Sequence, residues 1–168
     1  MANNVYDTFN EFFKQQVKNF KEASVPAKVL RLAVIDAAGE VKKRIQNKGL
    51  KSDGTSMDAY STKPFARPSG IRGTGKVKKY PGGYKEFRES KKKQTAHRDL
   101  TLSGDMFDTW RPLPVDQQSY GVKFTSPKMA FRANLQEVSQ GPVFAQTTKE
   151  EQDTLKVIND EAIRYLSR

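Results

Sequence analysis

Between Lys63 and Arg98 the chain carries twelve Lys and Arg residues against two acids, Glu86 and Glu89, and eight Gly and Pro residues interrupt the same stretch. A segment so polar and so often broken offers no continuous apolar face, so it reads as a long basic loop or arm inserted in a domain. It holds +10 of the formal net charge of +11, leaving 18 basic and 17 acidic residues in the other 132, a nearly neutral body. Loops of this length in compact domains are functional or disordered. One this basic fits an acidic protein surface, nucleic acid or a neighbouring subunit.

The chain is 168 residues long, enough for one domain with a core (1–168) and too short for two comfortable ones. It contains no cysteine, which excludes disulfides, thiolate zinc sites and cysteine nucleophiles. No apolar run reaches the roughly 18 residues of a membrane span. The first residues, MANNVYDTFNEFF, lack the basic and apolar regions of a signal peptide. The expectation is a protein with no membrane contact and no usual secretory route.

Periodicity supplies the elements. Val5, Phe9, Phe12, Phe13, Val17 and Phe20 recur at three- and four-residue steps and predict an N-terminal helix within residues 1–24. Ser24 before Pro26 predicts the start of a second helix over 26–47, with Leu30, Val34, Ala37, Ala38, Val41 and Ile45 as its stripe and Gly49 as its stop. Residues 52–62 carry turn chemistry around Asp53-Gly54. Inside the arm, residues 76–80 and 84–88 flank Pro81-Gly82-Gly83 as a hairpin.

Farther on, Leu100 and Leu102 read as an extended lead-in and Ser103 as an N-cap. One or two helical turns then follow through Met106, Phe107 and Trp110, ending near Arg111-Pro112. Tyr120, Val122 and Phe124 alternate with polar residues, as do Met129, Phe131, Ala133 and Leu135, predicting a hairpin around Ser126-Pro127-Lys128. Thr148-Lys-Glu-Glu151 fits a capping box opening a last helix, with Leu155, Ile158, Ala162 and Tyr165 facing the core. The fold class is therefore α+β: three amphipathic helices on a small antiparallel sheet, with the basic arm projecting.

Gly70-Ile-Arg-Gly-Thr-Gly75-Lys76-Val77 stands one residue from a phosphate-binding loop, with Val77 where a magnesium-binding Ser or Thr belongs. That chemistry needs a strand before the glycines and a helix after them, and the flanking residues suggest neither, so flexibility is the preferred role. His97, the single histidine, sits beside a lysine run and reads as part of the basic surface. Asp99, Asp105, Asp108 and Asp116 match no metal-ligand spacing; Asp105 and Asp108 suit a first helical turn, Asp99 and Asp116 turns. No catalytic residue, cofactor site or metal site is assigned.

Phosphate contact is the sharpest alternative. Arg67, Arg72, Lys76, Lys78, Lys79, Lys85, Arg88, Lys91, Lys92, Lys93 and Arg98 are interleaved with Tyr80, Tyr84 and Phe87, pairing cations for a nucleic-acid backbone with aromatic stacking surfaces. No recognised nucleic-acid module accompanies them, so non-specific contact is expected rather than base readout. A solvated or partner-facing arm is the competing reading.

Val41-Lys-Lys-Arg-Ile45 closing a long helix, Ser52-Asp-Gly-Thr-Ser-Met57 with Tyr60-Ser61, Tyr84-Lys-Glu-Phe-Arg88 and Leu100-Thr-Leu-Ser-Gly-Asp-Met106 occur in that order. Across about residues 28–166 this resembles the tail-completion or virion-morphogenesis proteins of tailed bacteriophages. In that family a helix leads through a turn and an ordered loop to a Leu-Thr-x-(Ser/Thr)-Gly-x-(Leu/Met) signature, and a β-hairpin and C-terminal helix close the domain. Tyr120 to Phe124 and Met129 to Val138 stand where the hairpin belongs, and Pro142-Val-Phe144 precedes the last helix. The chain departs from the family in having Ala145 and Gln146 after Phe144, where an arginine lies near the family's proline, and in its longer basic arm.

The resemblance implies a non-enzymatic virion protein of the head–tail neck, assembled in the host cytoplasm. It would join portal and tail as a homo-oligomeric ring of roughly six or twelve subunits, with other neck, portal or tail proteins as partners.

Overall fold

The computed structural model describes residues 26–68, 75–116 and 119–166. The helix expected within 1–24, and Arg72 of the arm, lie outside the described residues.

Helix α1 (Ala27–Lys43) follows from apolar residues at three- and four-residue steps: Val29, Leu30, Ala33, Val34, Ala37, Ala38 and Val41 are all buried. It continues into a π-helical turn, Arg44–Lys48. Gly49 ends it at φ 63°, a conformation that disfavours side chains. The Asp53-Gly54 turn forms as expected: the Asp53 carboxylate accepts from the Thr55 amide, and Gly54 sits at φ 80°.

Strands β1 (Phe65–Pro68) and β2 (Val77–Tyr80), helix α2 (Gly83–Ser90) and the helical turn α3 (Asp105–Asp108) come next. Strands β3 (Trp110–Asp116) and β4 (Ser119–Phe124) then form a hairpin, and helices α4 (Pro127–Gln140) and α5 (Thr148–Leu166) follow. Both sheets are two-stranded and antiparallel: β1 with β2, and β3 with β4. Helices and small antiparallel sheets together make the fold α+β.

Helix α1 packs on α5 and on the β3–β4 hairpin, and α4 adds Met129 and Ala133 to the same core. Phe107, Trp110, Phe124 and Phe144 cluster at its centre, with Phe124 and Phe144 edge to face at 5.3 Å. Edge-to-face rings add dispersion and quadrupole attraction to the area they bury.

Buried Arg44 ties the ends of this core together. Its Nε donates to Glu150 at 2.9 Å, its Nη1 to the Leu50 carbonyl, and its Nη2 to the carbonyls of Val143 and Ala145. Glu137 of α4 accepts from the amides of Val143 and Phe144. Burial pushes its carboxyl above the usual range against those hydrogen bonds and the Arg44 charge.

Several local expectations are corrected. Residues 129–135 do not form a strand: Ser126 and Pro127 open α4, which buries Met129 and Ala133 one turn apart. Alternation at 129, 131, 133 and 135 satisfied a strand reading, yet 129/133 and 131/135 are also helical pairs. The partner of β4 is instead Trp110–Asp116, so Trp110 begins a strand rather than ending a helix. Pro112 and Pro114 are tolerated there because they lie two residues apart, so their missing donors fall on one edge of a two-stranded ribbon.

The last helix is capped one residue early, with Thr147 and Glu150 exchanging amide-to-side-chain bonds. Gly104, at φ 91°, and not Ser103, precedes α3. Ile158 and Thr154 are buried, whereas Tyr165 is 55% exposed and outside the core.

Replacing Arg44 with Met should lower stability by about 3–5 kcal/mol, because a buried acceptor set and Glu150 lose their partner. Urea denaturation should show an earlier midpoint at unchanged slope.

Candidate interaction site: the clasped basic arm

The arm is not featureless. Phe65 pairs with Tyr80, Ala66 with Lys79, Arg67 with Lys78 and Pro68 with Val77. The chain then reverses through Pro81-Gly82 into α2, which is a helix and not the second strand expected at residues 84–88. Gly82 and Gly83 allow the reversal. Gly83 holds φ 73°, and a Cβ there would sit 2.6 Å from the Ser61 carbonyl oxygen, so only glycine fits. The Glu86 carboxylate accepts from the Gly82 amide at 2.7 Å, satisfying one donor at the helix start.

Aromatic residues supply the arm with a small core of its own. Tyr80 and Phe87 meet at 5.2 Å, Phe65 stacks on Tyr80 at 5.3 Å, and Tyr84 lies 5.7 Å from Tyr60. Arg67 places its guanidinium 4.8 Å from the centre of the Phe87 ring, a cation–π contact. The aromatics read as stacking surfaces for a ligand are mostly occupied with one another.

A buried ion pair locks this unit to the body. Arg88, 1% exposed, sets Nη2 at 2.9 Å from both oxygens of Asp99. The Tyr60 hydroxyl donates to Asp99 at 2.8 Å and accepts from the Asp99 amide at 3.0 Å, while its ring lies under the guanidinium. Arg88 Nε also donates to the Gln94 carbonyl.

Burial raises the Asp99 carboxyl, but hydrogen bonds from Thr101, Gln94 and Tyr60 outweigh it and hold the group below the usual range. Burial drives the Tyr60 hydroxyl well above its ordinary value. With its oxygens committed in this way, Asp99 serves to hold the arm, where the sequence suggested only a turn.

The ten basic candidates among the described residues separate into two groups. Arg67, Lys76, Lys78, Lys79, Lys85, Lys91, Lys92 and Lys93 are exposed. Arg88 turns inward and is consumed by the clasp, which corrects its assignment as a contact residue, whereas Arg98 is half-buried and donates to the carbonyls of Asp58 and Ala59. The Lys91–Lys93 run is fixed by a tight turn in which the Lys93 amide returns to the Arg88 carbonyl and Lys92 adopts φ 55°. Opposite Arg67 across the ribbon stands Lys78, a like-charge pair that costs energy in isolation.

His97 belongs to the framework more than to the basic surface. Its ring packs where Gly49 leaves room, and its Nε2 donates to the Gln46 carbonyl at 2.8 Å, within the π-helical turn that follows α1. Lys76 leads directly into strand β2 rather than into the helix a phosphate-binding loop requires. Asp105 and Asp108 lie in the first turn of α3 as expected. No group of three or more His, Asp or Glu among the described residues is placed to hold a metal ion, and no described helix is long and apolar enough to cross a membrane.

Between the arm and α4 opens a cleft of about 570 Å³. Leu100, Leu102, Met106, Met129 and Leu135 form apolar walls, and Arg67, Arg98 and Arg132 line it as well. Sequence periodicity could not reveal this cleft, since it exists only once the clasp fixes the arm.

Compared with known proteins, the chain matches no protein-family model, no curated protein and no solved structure.

Asp99→Ala should release the arm at neutral pH, since it strands a buried guanidinium at a cost of about 3–5 kcal/mol. Near-UV circular dichroism should lose the tyrosine signal of the arm cluster and keep that of Trp110. The wild type should lose the same signal on acidification. A carboxylate held low adds stability that is complete above its unfolded value of about 4 and disappears as pH falls through the lowered folded value.

Proposed function

We propose that this protein is a non-enzymatic component of the head–tail neck of a tailed bacteriophage, a tail-completion or connector protein that joins head to tail as a ring of identical subunits. The observation that carries the reading is the arm. It has a fixed shape from its own aromatic core and a buried clasp to the body, yet nine of its described cations are exposed. Closed rings are built from heterologous interfaces, in which a projection from one subunit lies on a different surface of the next. An arm this shaped and this exposed suits that task.

The element order agrees with the resemblance: a long helix, an ordered loop held by Asp53 and Gly54, the Leu100–Met106 stretch feeding a helical turn, a hairpin and a C-terminal helix. The hairpin is formed by 110–124 rather than by 120–138, and α4 is inserted before the last helix.

Light scattering during gel filtration tests the assembly. The expected mass is a multiple of the 19.0 kDa subunit in the range of a ring; a monomer at every concentration would reject it.

A second reading, non-specific binding to nucleic acid through the arm, is favoured by the Arg67 and Lys78 pair and the Lys91–Lys93 turn, whose mutual repulsion a polyanion would relieve. A short duplex should then bind more weakly as salt rises. Changing Lys91, Lys92 and Lys93 to Gln should flatten the log–log salt slope by about 0.9 for each phosphate that the variant no longer neutralises. A duplex that stays unbound at low salt removes this reading.

A further inference from the structure

We propose that the cleft between the clasped arm and α4 is the docking site for the N-terminal segment, residues 5–13, of a neighbouring copy of this chain. The receiving surface is larger than the cleft alone. On α4, Phe131, Leu135 and Val138 recur at steps of four and three residues and are 64%, 47% and 75% exposed. Leu135 belongs both to this stripe and to the cleft, so the two form one apolar tract. A helix that keeps three large apolar side chains in water along one line presents the kind of groove edge that an amphipathic segment covers.

Charge selects the occupant. Arg67, Arg98 and Arg132 line the cleft, and no Asp or Glu is among its lining residues; Arg88 at its floor is already neutralised by Asp99. The fitting partner is therefore apolar and acidic. The first thirteen residues of this chain carry Val5, Tyr6, Phe9, Phe12 and Phe13 together with Asp7 and Glu11, and no Lys or Arg occurs before Lys14.

At helical spacing Val5, Phe9, Phe12 and Phe13 share one face, suited to the α4 tract, and Asp7 and Glu11 lie off that face. Those two acids need only come within a Debye length of about 8–10 Å of the arginines to be attracted. Residues 14–26 separate the segment from α1 along the sequence.

The proposal rests on the ring reading in one respect, that a second copy lies alongside. It also gives that ring a heterologous contact, segment into cleft, repeated from subunit to subunit.

Because the chain has no cysteine, introduced thiols report without background. Full-length Phe12→Cys and Leu135→Cys chains are mixed and treated with a flexible bismaleimide, which tolerates imperfect thiol alignment. The expected product is a covalent pair at twice the subunit mass that forms only when both variants are present, and Arg132→Glu in the receiving chain should cut its yield severalfold. A chain carrying both thiols that links only to itself overturns the copy-to-copy proposal in favour of intramolecular docking. No linkage at all overturns the site. An assembly of ring mass without linkage sinks this proposal and leaves the ring reading standing. Linkage in a sample whose native mass by light scattering never exceeds a dimer sinks the ring reading and leaves the docking site.

Discussion

The Arg88–Asp99 pair decides whether the most basic part of this chain belongs to the fold. Burying two charges costs several kcal/mol each, and only good geometry with further hydrogen bonds recovers that cost. Here every requirement is met: both carboxylate oxygens face the guanidinium, Tyr60 donates to one of them, and the Tyr60 ring covers the cation. Residues 83–99 thereby change from a repulsive loop into a bracket whose position relative to Tyr60 is fixed. The cleft, the ribbon and the outward lysines all depend on that bracket.

Arg44 plays a parallel part in the main core. It reaches Leu50 on one side and Val143, Ala145 and Glu150 on the other, joining segments about a hundred residues apart. Two arginines, each in its own low-dielectric setting, thus hold what aliphatic packing leaves open. Single-partner loss at either place strands a charge, whereas an exposed lysine changes little when altered.

Much of this was readable in advance, and the failures have physical causes. Helix α1, its Gly49 stop and the C-terminal helix followed from a 3.6-residue apolar pattern and a glycine terminator. The α4 segment was misread because its small set of apolar positions satisfied two periods at once, and Ser126-Pro127 as a helix start was the signal that could have decided it. The roles of Arg88 and Asp99 were hidden because a buried ion pair leaves no periodic trace: charge in a sequence carries no mark of which cations will find a partner. His97 was opaque for the same reason, since its partner, the Gln46 carbonyl, is a backbone atom 51 residues away.

The separateness of the arm's aromatic cluster has a consequence for how the molecule comes apart. Contacts of the main core close long loops, while those of the arm join residues mostly within a stretch of about forty, tied to the body through the clasp. Units of that kind open and reclose by themselves, at a free energy below that of global unfolding. The protein therefore has two thresholds of order, and the molecule can let go of its bracket and regain it while α1, α5 and the β3–β4 hairpin stay intact.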